Sequence, residues 1–191
     1  MARRKDHTHQ ELRKMSVQAG AALIAEHGLQ GFSLRKVAAE IGYTPGALYN
    51  IFEDIDDLLI HVHEQTLDAL FDHLSQVEID ADKGKEALQA LAYAYLAFAR
   101  ENRYQWQALF DYSRPDDKPL PLTYNQKLDT LFGLIEMALP DDVEGDRSSL
   151  ITVLWASIHG ICTLSLSSKL QHSQGVDPEK LIDELLERVS L

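Results

Sequence analysis

The sequence predicts an all-α protein, a small N-terminal three-helix bundle carrying a helix-turn-helix, followed by a larger helical body. Three observations predict it. Apolar residues recur at spacings of three and four almost throughout, and cap and stop residues punctuate them where helices should begin and end. No segment alternates as a half-buried strand would. Charge is also divided unevenly. Residues 1–50 carry seven Lys/Arg against four Asp/Glu, a balance of +3, and the rest carries eleven against twenty-six, or −15. A basic module joined to an acidic body is the organisation this implies.

The elements follow in order. Leu12, Met15, Ala19, Ala22 and Leu23 share a helical stripe that Gly28 stops. Ser33 can cap a short helix with Leu34, Val37, Ala38 and Ile41 on one face, ended by Gly42. Thr44 caps a third, very short helix with Pro45 in its first turn. Asp54 opens a long fourth helix, from 55 to about 77, with Asp56 and Asp57 where the helix dipole favours negative charge. A fifth helix runs from the turn at Asp80–Gly84 to about Arg100, and a shorter one covers Tyr104–Phe110. Ser113–Pro121, with three Pro and two Asp, reads as loop. Helices over Leu122–Ala138 and Arg147–Leu170 come next, and Asp177-Pro178 begins the last.

Composition narrows the function. A mass of 21.5 kDa with 45% hydrophobic residues suits a packed soluble protein. The lone Cys162 leaves no disulfide framework and no CxxC site. No apolar run follows the MARRK start, so a cytoplasmic protein without a signal peptide is expected. Ser148–Ser168 lacks Asp, Glu, Lys and Arg, but six Ser, two Thr and His159 make it too polar for lipid. A helix buried by protein on several sides is expected there, and no membrane partner.

Residues 33–52, SLRKVAAEIGYTPGALYNIF, have the arrangement of a DNA-reading helix-turn-helix. The second helix leads with Thr44, Pro45, Gly46 and Ala47, small enough for the backbone to approach a groove closely. Tyr49 and Asn50 offer hydrogen bonds from the following turn, and Leu48 and Phe52 face inward. Arg35 and Lys36 can meet the flanking phosphates.

Residues 9–70 resemble the TetR/AcrR family of bacterial transcriptional regulators. The likeness rests on Ala22-Leu23, His27-Gly28, Gly31-Phe32-Ser33-Leu34, Val37-Ala38, Ile41-Gly42, Gly46-Ala47-Leu48-Tyr49 and Phe52, in order and spacing. It implies DNA contacts at Ser33, Arg35, Thr44, Tyr49 and Asn50. It also implies a division into residues 1–53, the arm and helix-turn-helix, and residues 71–191, a helical effector-binding and dimerisation domain. The helix from about 54 joins the two. One departure is Ile55, where the family often has a phosphate-binding Lys, within an acidic Asp54–Asp57 run. Phosphate grip then shifts to Arg3, Arg4, Lys5, Arg13 and Lys14, or that arm is a solvated tail.

Trp155, His159 and Gly160 lie in a helix apolar around most of its girth, which a second subunit would help to bury. Leu154, Ile158 and Ile161, with Leu181 and Leu185 of the last helix, are the expected seam of a homodimer. The Trp-x-x-x-His-Gly pattern resembles a regulatory domain, the Trp-His-Gly type, found in part of the family. Tyr95, Phe98, Trp106, Phe110, Trp155 and His159 read either as core or as the wall of an effector pocket. No carboxylate or Cys/His partner stands at ligand spacing from His159, so no metal and no cofactor are expected.

The resulting expectation is a ligand-responsive repressor that binds a palindromic DNA operator as a homodimer and is not an enzyme. The alternative is a DNA-associated protein acting through protein partners without a small-molecule effector.

Overall fold

The computed structural model describes residues 7–80, 83–112, 118–140, 143, 145–167 and 177–189. These residues are helical, with no strand among them. The helices are α1 His9–His27, α2 Leu34–Glu40, α3 Pro45–Leu48, α4 Ile55–Leu74, α5 Gly84–Glu101, α6 Arg103–Asp111, α7 Leu122–Ala138, α8 Arg147–Leu166 and α9 Pro178–Arg188. A single 3-10 turn, Leu29–Gly31, separates α1 from α2.

Local chemistry sets the boundaries. Thr8 and Glu11 form a reciprocal capping box at the start of α1, each side chain taking up the other residue's backbone N–H. Ser33 accepts from the Lys36 N–H at 3.2 Å and so caps α2. Gly42 follows α2 with φ +75°, a conformation that a Cβ would strain. Asp54 and Asp57 cap the start of α4, Asp54 taking the Asp57 N–H and Asp57 the Glu53 N–H. Two expectations are corrected. Thr44 stands at the N-cap of α3, but its hydroxyl makes no cap bond. Helix α4 ends at Leu74, not near 77, because the Gln76 and Val77 amides fall back to i→i+3 bonds with His73 and Leu74.

The chain divides into two compact units, the described parts of Met1–Leu67 with Tyr104–Tyr124, and of Asp68–Arg103 with Asn125–Leu191. Helix α4 therefore begins in the first and ends in the second, and α6 packs with the N-terminal helices.

In the first unit, Ala19 and Ile24 of α1 meet Leu34, Val37 and Ala38 of α2, Leu48 of α3, and Leu58, Leu59 and Val62 of α4. Phe52 and Ala108 complete this core. Gly20 lets α1 lie against Phe32 and Val62, where a Cβ would stand 2.9 Å from both side chains.

In the second unit, α5, α8 and α9 pack on one another. Helix α5 buries Leu88, Leu91, Tyr95, Leu96 and Phe98, and α9 buries Ile182 and Leu186. Polar pairs fix their register. Asp183 accepts from Tyr93 at 2.6 Å and Gln89 at 2.5 Å, and Arg100 pairs with Glu179 at 2.6 Å. That pairing holds the Glu179 carboxyl down at about 2.

Helix α8 turns Ile151, Leu154, Ile158 and Cys162 into this core. Burial also pushes the Cys162 thiol up to about 12, so it behaves as a small apolar group. By length and composition α8 could cross a membrane. Within the described residues the chain itself covers one face of it, that of Ile151, Leu154, Ile158 and Cys162.

Candidate nucleic-acid interface

The helix-turn-helix presents its functional side chains by burying the complementary ones. Leu34, Val37 and Ala38 turn the opposite face of α2 outward, exposing Arg35 and Lys36. Leu48 is fully buried, so Thr44, Pro45, Gly46, Tyr49 and Asn50 are exposed around the short α3, with Tyr49 60% accessible. Ala47 and Ser33 are half-buried, Ser33 being occupied as the α2 cap. The turn is braced where His7 Nδ1 and the Tyr43 hydroxyl lie 2.8 Å apart. The surface has two cationic side chains at the start of α2 and amide and phenol groups on α3. It can hydrogen-bond base edges and neutralise phosphates.

The cationic supply differs from the sequence expectation in two places. Arg13 is engaged inside the protein. It donates to the Ile51 carbonyl at 3.2 Å, lies 4.9 Å from the Phe52 ring centroid and bonds His61. It is therefore not part of a phosphate-gripping arm. Arg3, Arg4 and Lys5 lie outside the described residues. The acidic start of α4 is not bare either, since Lys118 pairs with Asp54 and holds that carboxyl below its ordinary range. Nothing near Lys118 in the sequence indicated this, because the pair joins residues 64 positions apart.

Tyr95, Trp155 and His159 come together in the second unit. The Tyr95 hydroxyl lies 3.0 Å from His159 Nδ1, Thr163 Oγ1 3.3 Å from Nε2, and the Trp155 ring stacks on the imidazole at 5.5 Å. Phe132 meets Trp155 edge-on at 5.5 Å. Partial burial lowers the pKa of His159. Phe98 packs on His73 in the same unit. Trp106 and Phe110 belong to the first unit, their rings tilted against each other with centroids 5.1 Å apart.

The residues of the expected dimer seam differ in burial. Leu154 is 1% exposed and Ile158 is buried, both taken up by the chain's own core. The open face of α8 instead carries Val153, 56% exposed, with Ala156 and Leu164. Ile161, Leu181 and Leu185 are half-buried.

Two histidines of α4, missed as a contrast in the sequence, behave differently. His61 lies in a polar chain, whereas His63 is 1% exposed, edge-on to Tyr112, with no hydrogen bond to either ring nitrogen among the described residues. Desolvation lowers His63 to about 4. Among the described residues, no three His, Cys, Asp or Glu side chains are grouped to hold a metal.

Comparison with known proteins decides what carries this geometry. The family described as bacterial regulatory proteins, tetR family, matches residues 17–62, and the tetracyclin repressor-like C-terminal domain matches residues 88–189. The chain belongs to the tetR family. The second match alone covers more than half of it, and includes Trp155, His159 and Gly160.

An HTH-type transcriptional regulator of Staphylococcus aureus is 30% identical over 87 residues, 46% of this chain and 47% of the relative. The chain thus spans about half the length of the curated relatives it matches. A Rhodococcus protein of unknown function superposes with a TM-score of 0.75 at 22% identity, over 97% of this chain and 96% of that one. FadR from Bacillus subtilis, solved with stearoyl-CoA, does so at 0.60 and 16% identity, over 91% and 95%. Both likenesses show the fold. The tetR family is one of transcriptional regulators, not of enzymes.

Proposed function

We propose that this tetR-family regulator is a cytoplasmic repressor that binds a palindromic operator as a homodimer and lets go when a small molecule binds its second unit. The observation that carries the reading is the exposed row Arg35, Lys36, Thr44, Pro45, Gly46, Tyr49 and Asn50, with the α2 cap Ser33 and the half-buried Ala47 at its margin. Their cationic, amide and phenol groups are of the kinds that meet phosphates and base edges.

Dimerisation is supported by the charge-free outer face of α8, with Val153, Ala156 and Leu164, flanked by the half-buried Ile161, Leu181 and Leu185. A twofold assembly would present two reading heads to two half-sites, which makes the operator palindromic. An effector role for Tyr95, Trp155, His159 and Phe132 is supported by their mixture of aromatic walls and hydroxyl and imidazole tips. Phe98 packs on His73 in the same unit, whereas the buried Trp106 and the exposed Phe110 belong to the first. A ligand that favours a state with the heads misplaced lowers operator affinity by its coupling energy, typically ~1–3 kcal/mol.

Selection of duplexes from fragmented genomic DNA by the purified protein is the test. Recovery of one inverted repeat, bound by two chains, is the expected result, and acyl-coenzyme A thioesters are a first class to screen for release. Recovery of no preferred sequence at low salt would overturn the reading.

A further inference from the structure

Arg13, His61, Glu64 and Thr123 form one chain of hydrogen bonds inside the first unit, and it ends on the helix-turn-helix. The guanidinium of Arg13, from α1, holds the Ile51 carbonyl at 3.2 Å, just beyond α3, and also bonds His61 Nε2. His61 Nδ1 lies 2.8 Å from one oxygen of Glu64, whose other oxygen accepts from the Thr123 hydroxyl at 2.5 Å.

The tautomer follows from the partners. Arginine has donors only, so Nε2 must be the accepting nitrogen, and Nδ1–H donates to Glu64. The chain is satisfied only while the imidazole is neutral.

Protonation changes the partners. Both nitrogens then donate, Nε2 can no longer accept from Arg13, and two cations face each other. Asp57 Oδ1, on the same helix and 3.5 Å from Nε2, is placed to take the new N–H. The groups facing the ring are thus Arg13 from α1, Phe52 from the α3–α4 turn at 6.2 Å between centroids, and Asp57 and Glu64 from α4. Thr123 of α7 acts through Glu64. The two carboxylates and Arg13 thus compete for the ring's two nitrogens.

We propose that His61 is a positioning residue for α3, holding Arg13 against the Ile51 carbonyl when neutral and, when protonated, turning its own Nε2–H to Asp57 and so releasing Arg13. The segment Tyr49–Ile51, which includes the exposed Tyr49 and Asn50, is then held less firmly at low pH. The proposal borrows from the functional reading only the idea that this segment meets DNA.

The test is amide hydrogen exchange on the full, DNA-free chain. The Ile51 and Phe52 amides, both bonded to the Leu48 carbonyl at 2.9 Å, are the reporters, and Val37 of α2 is the reference for global opening. Protection of the reporters relative to Val37 should fall about fivefold between about pH 7.5 and about pH 5.5. His61→Gln keeps an acceptor for Arg13 and a donor for Glu64 but takes up no proton, so its relative protection should stay flat. Arg13→Leu should show the low relative protection at both pH values. Equal pH responses in wild type and His61→Gln, or full reporter protection in Arg13→Leu, would overturn the proposal. Operator affinity is then compared at the two pH values. Loss of the pH effect on exchange refutes the positioning role, whereas normal exchange behaviour without DNA binding refutes only the DNA reading.

Discussion

The outer faces of α3 and α8 are both left to solvent by helices whose opposite faces are core, yet they differ in what they expose. Helix α3 buries Leu48 and shows Thr44, Gly46, Tyr49 and Asn50, groups that water or a polar partner satisfies equally well. Helix α8 buries Ile151, Leu154, Ile158 and Cys162 and shows Val153, Ala156 and Leu164, which water does not reward. Exposure alone therefore does not identify a site. The chemistry of the exposed face distinguishes the two, hydrogen-bonding groups in one case and apolar ones in the other.

The largest expected effect tests the division of α8 into two faces. Leu154→Ala should cost about 2–5 kcal/mol in chemical denaturation, because a buried Leu leaves a cavity. Val153→Ala, one residue away, should change the same measurement by less than about 0.5 kcal/mol. Equal losses would mean that the two faces are not distinct.

The next effect concerns the same contrast on α4, where His61 is bonded and His63 is not. With the folded-state value of His63 lowered from 6.5 to about 4, the unfolded chain takes up the proton first as pH falls. Stability is therefore unaffected by His63 above about 6.5 and declines as pH drops toward 4, by about 3 kcal/mol in all. His63→Leu should flatten that part of a stability-against-pH curve. An unchanged curve would show that His63 is not held neutral by burial.

Smaller, and specific to the outer face, is Val153→Asp. It should raise the dimer dissociation constant tenfold or more, about 1.4 kcal/mol, in sedimentation experiments while the thermal transition of the chain persists. A dimer of unaltered affinity would place the seam elsewhere. The smallest effect on folding is that of Tyr49→Ala, within about 0.5 kcal/mol, although operator affinity at matched salt should fall by about 1–3 kcal/mol. Unchanged affinity would remove Tyr49 from the interface.

Much of this was legible in the residues because it is local. A Ser before an apolar stripe, a Gly after it, and Pro in a first turn act through bonds within four residues, so Ser33, Gly42, Pro45 and Asp177 marked helix boundaries directly. The exposed set on α2 and α3 was legible for the same reason, since the helical period that buries Leu34, Val37 and Leu48 leaves their neighbours outside.

Side chains whose partners lie far away were not legible. Arg13 read as a free cation until α4 and the end of α3 brought His61 and Ile51 to it, 48 and 38 positions along the chain. Lys118 beside Asp54, and the separation of Trp106 from Tyr95 into different units, are of the same kind.

Helix α8 marks the limit of sequence reading most clearly. Its residues are apolar on nearly every side, so periodicity specified a helix without specifying an inward face. Burial is a property of neighbours, and only the packing of α5 and α9 assigned Leu154 and Ile158 to the core and left Val153 outside. The sequence by itself determined the helices, their caps and the polar surface of α3, because hydrogen bonds and side-chain periodicity within a few residues suffice for these. Tertiary structure alone decided which face of α8 is open and which histidine of α4 can exchange its partners, because both depend on groups brought together from distant parts of the chain.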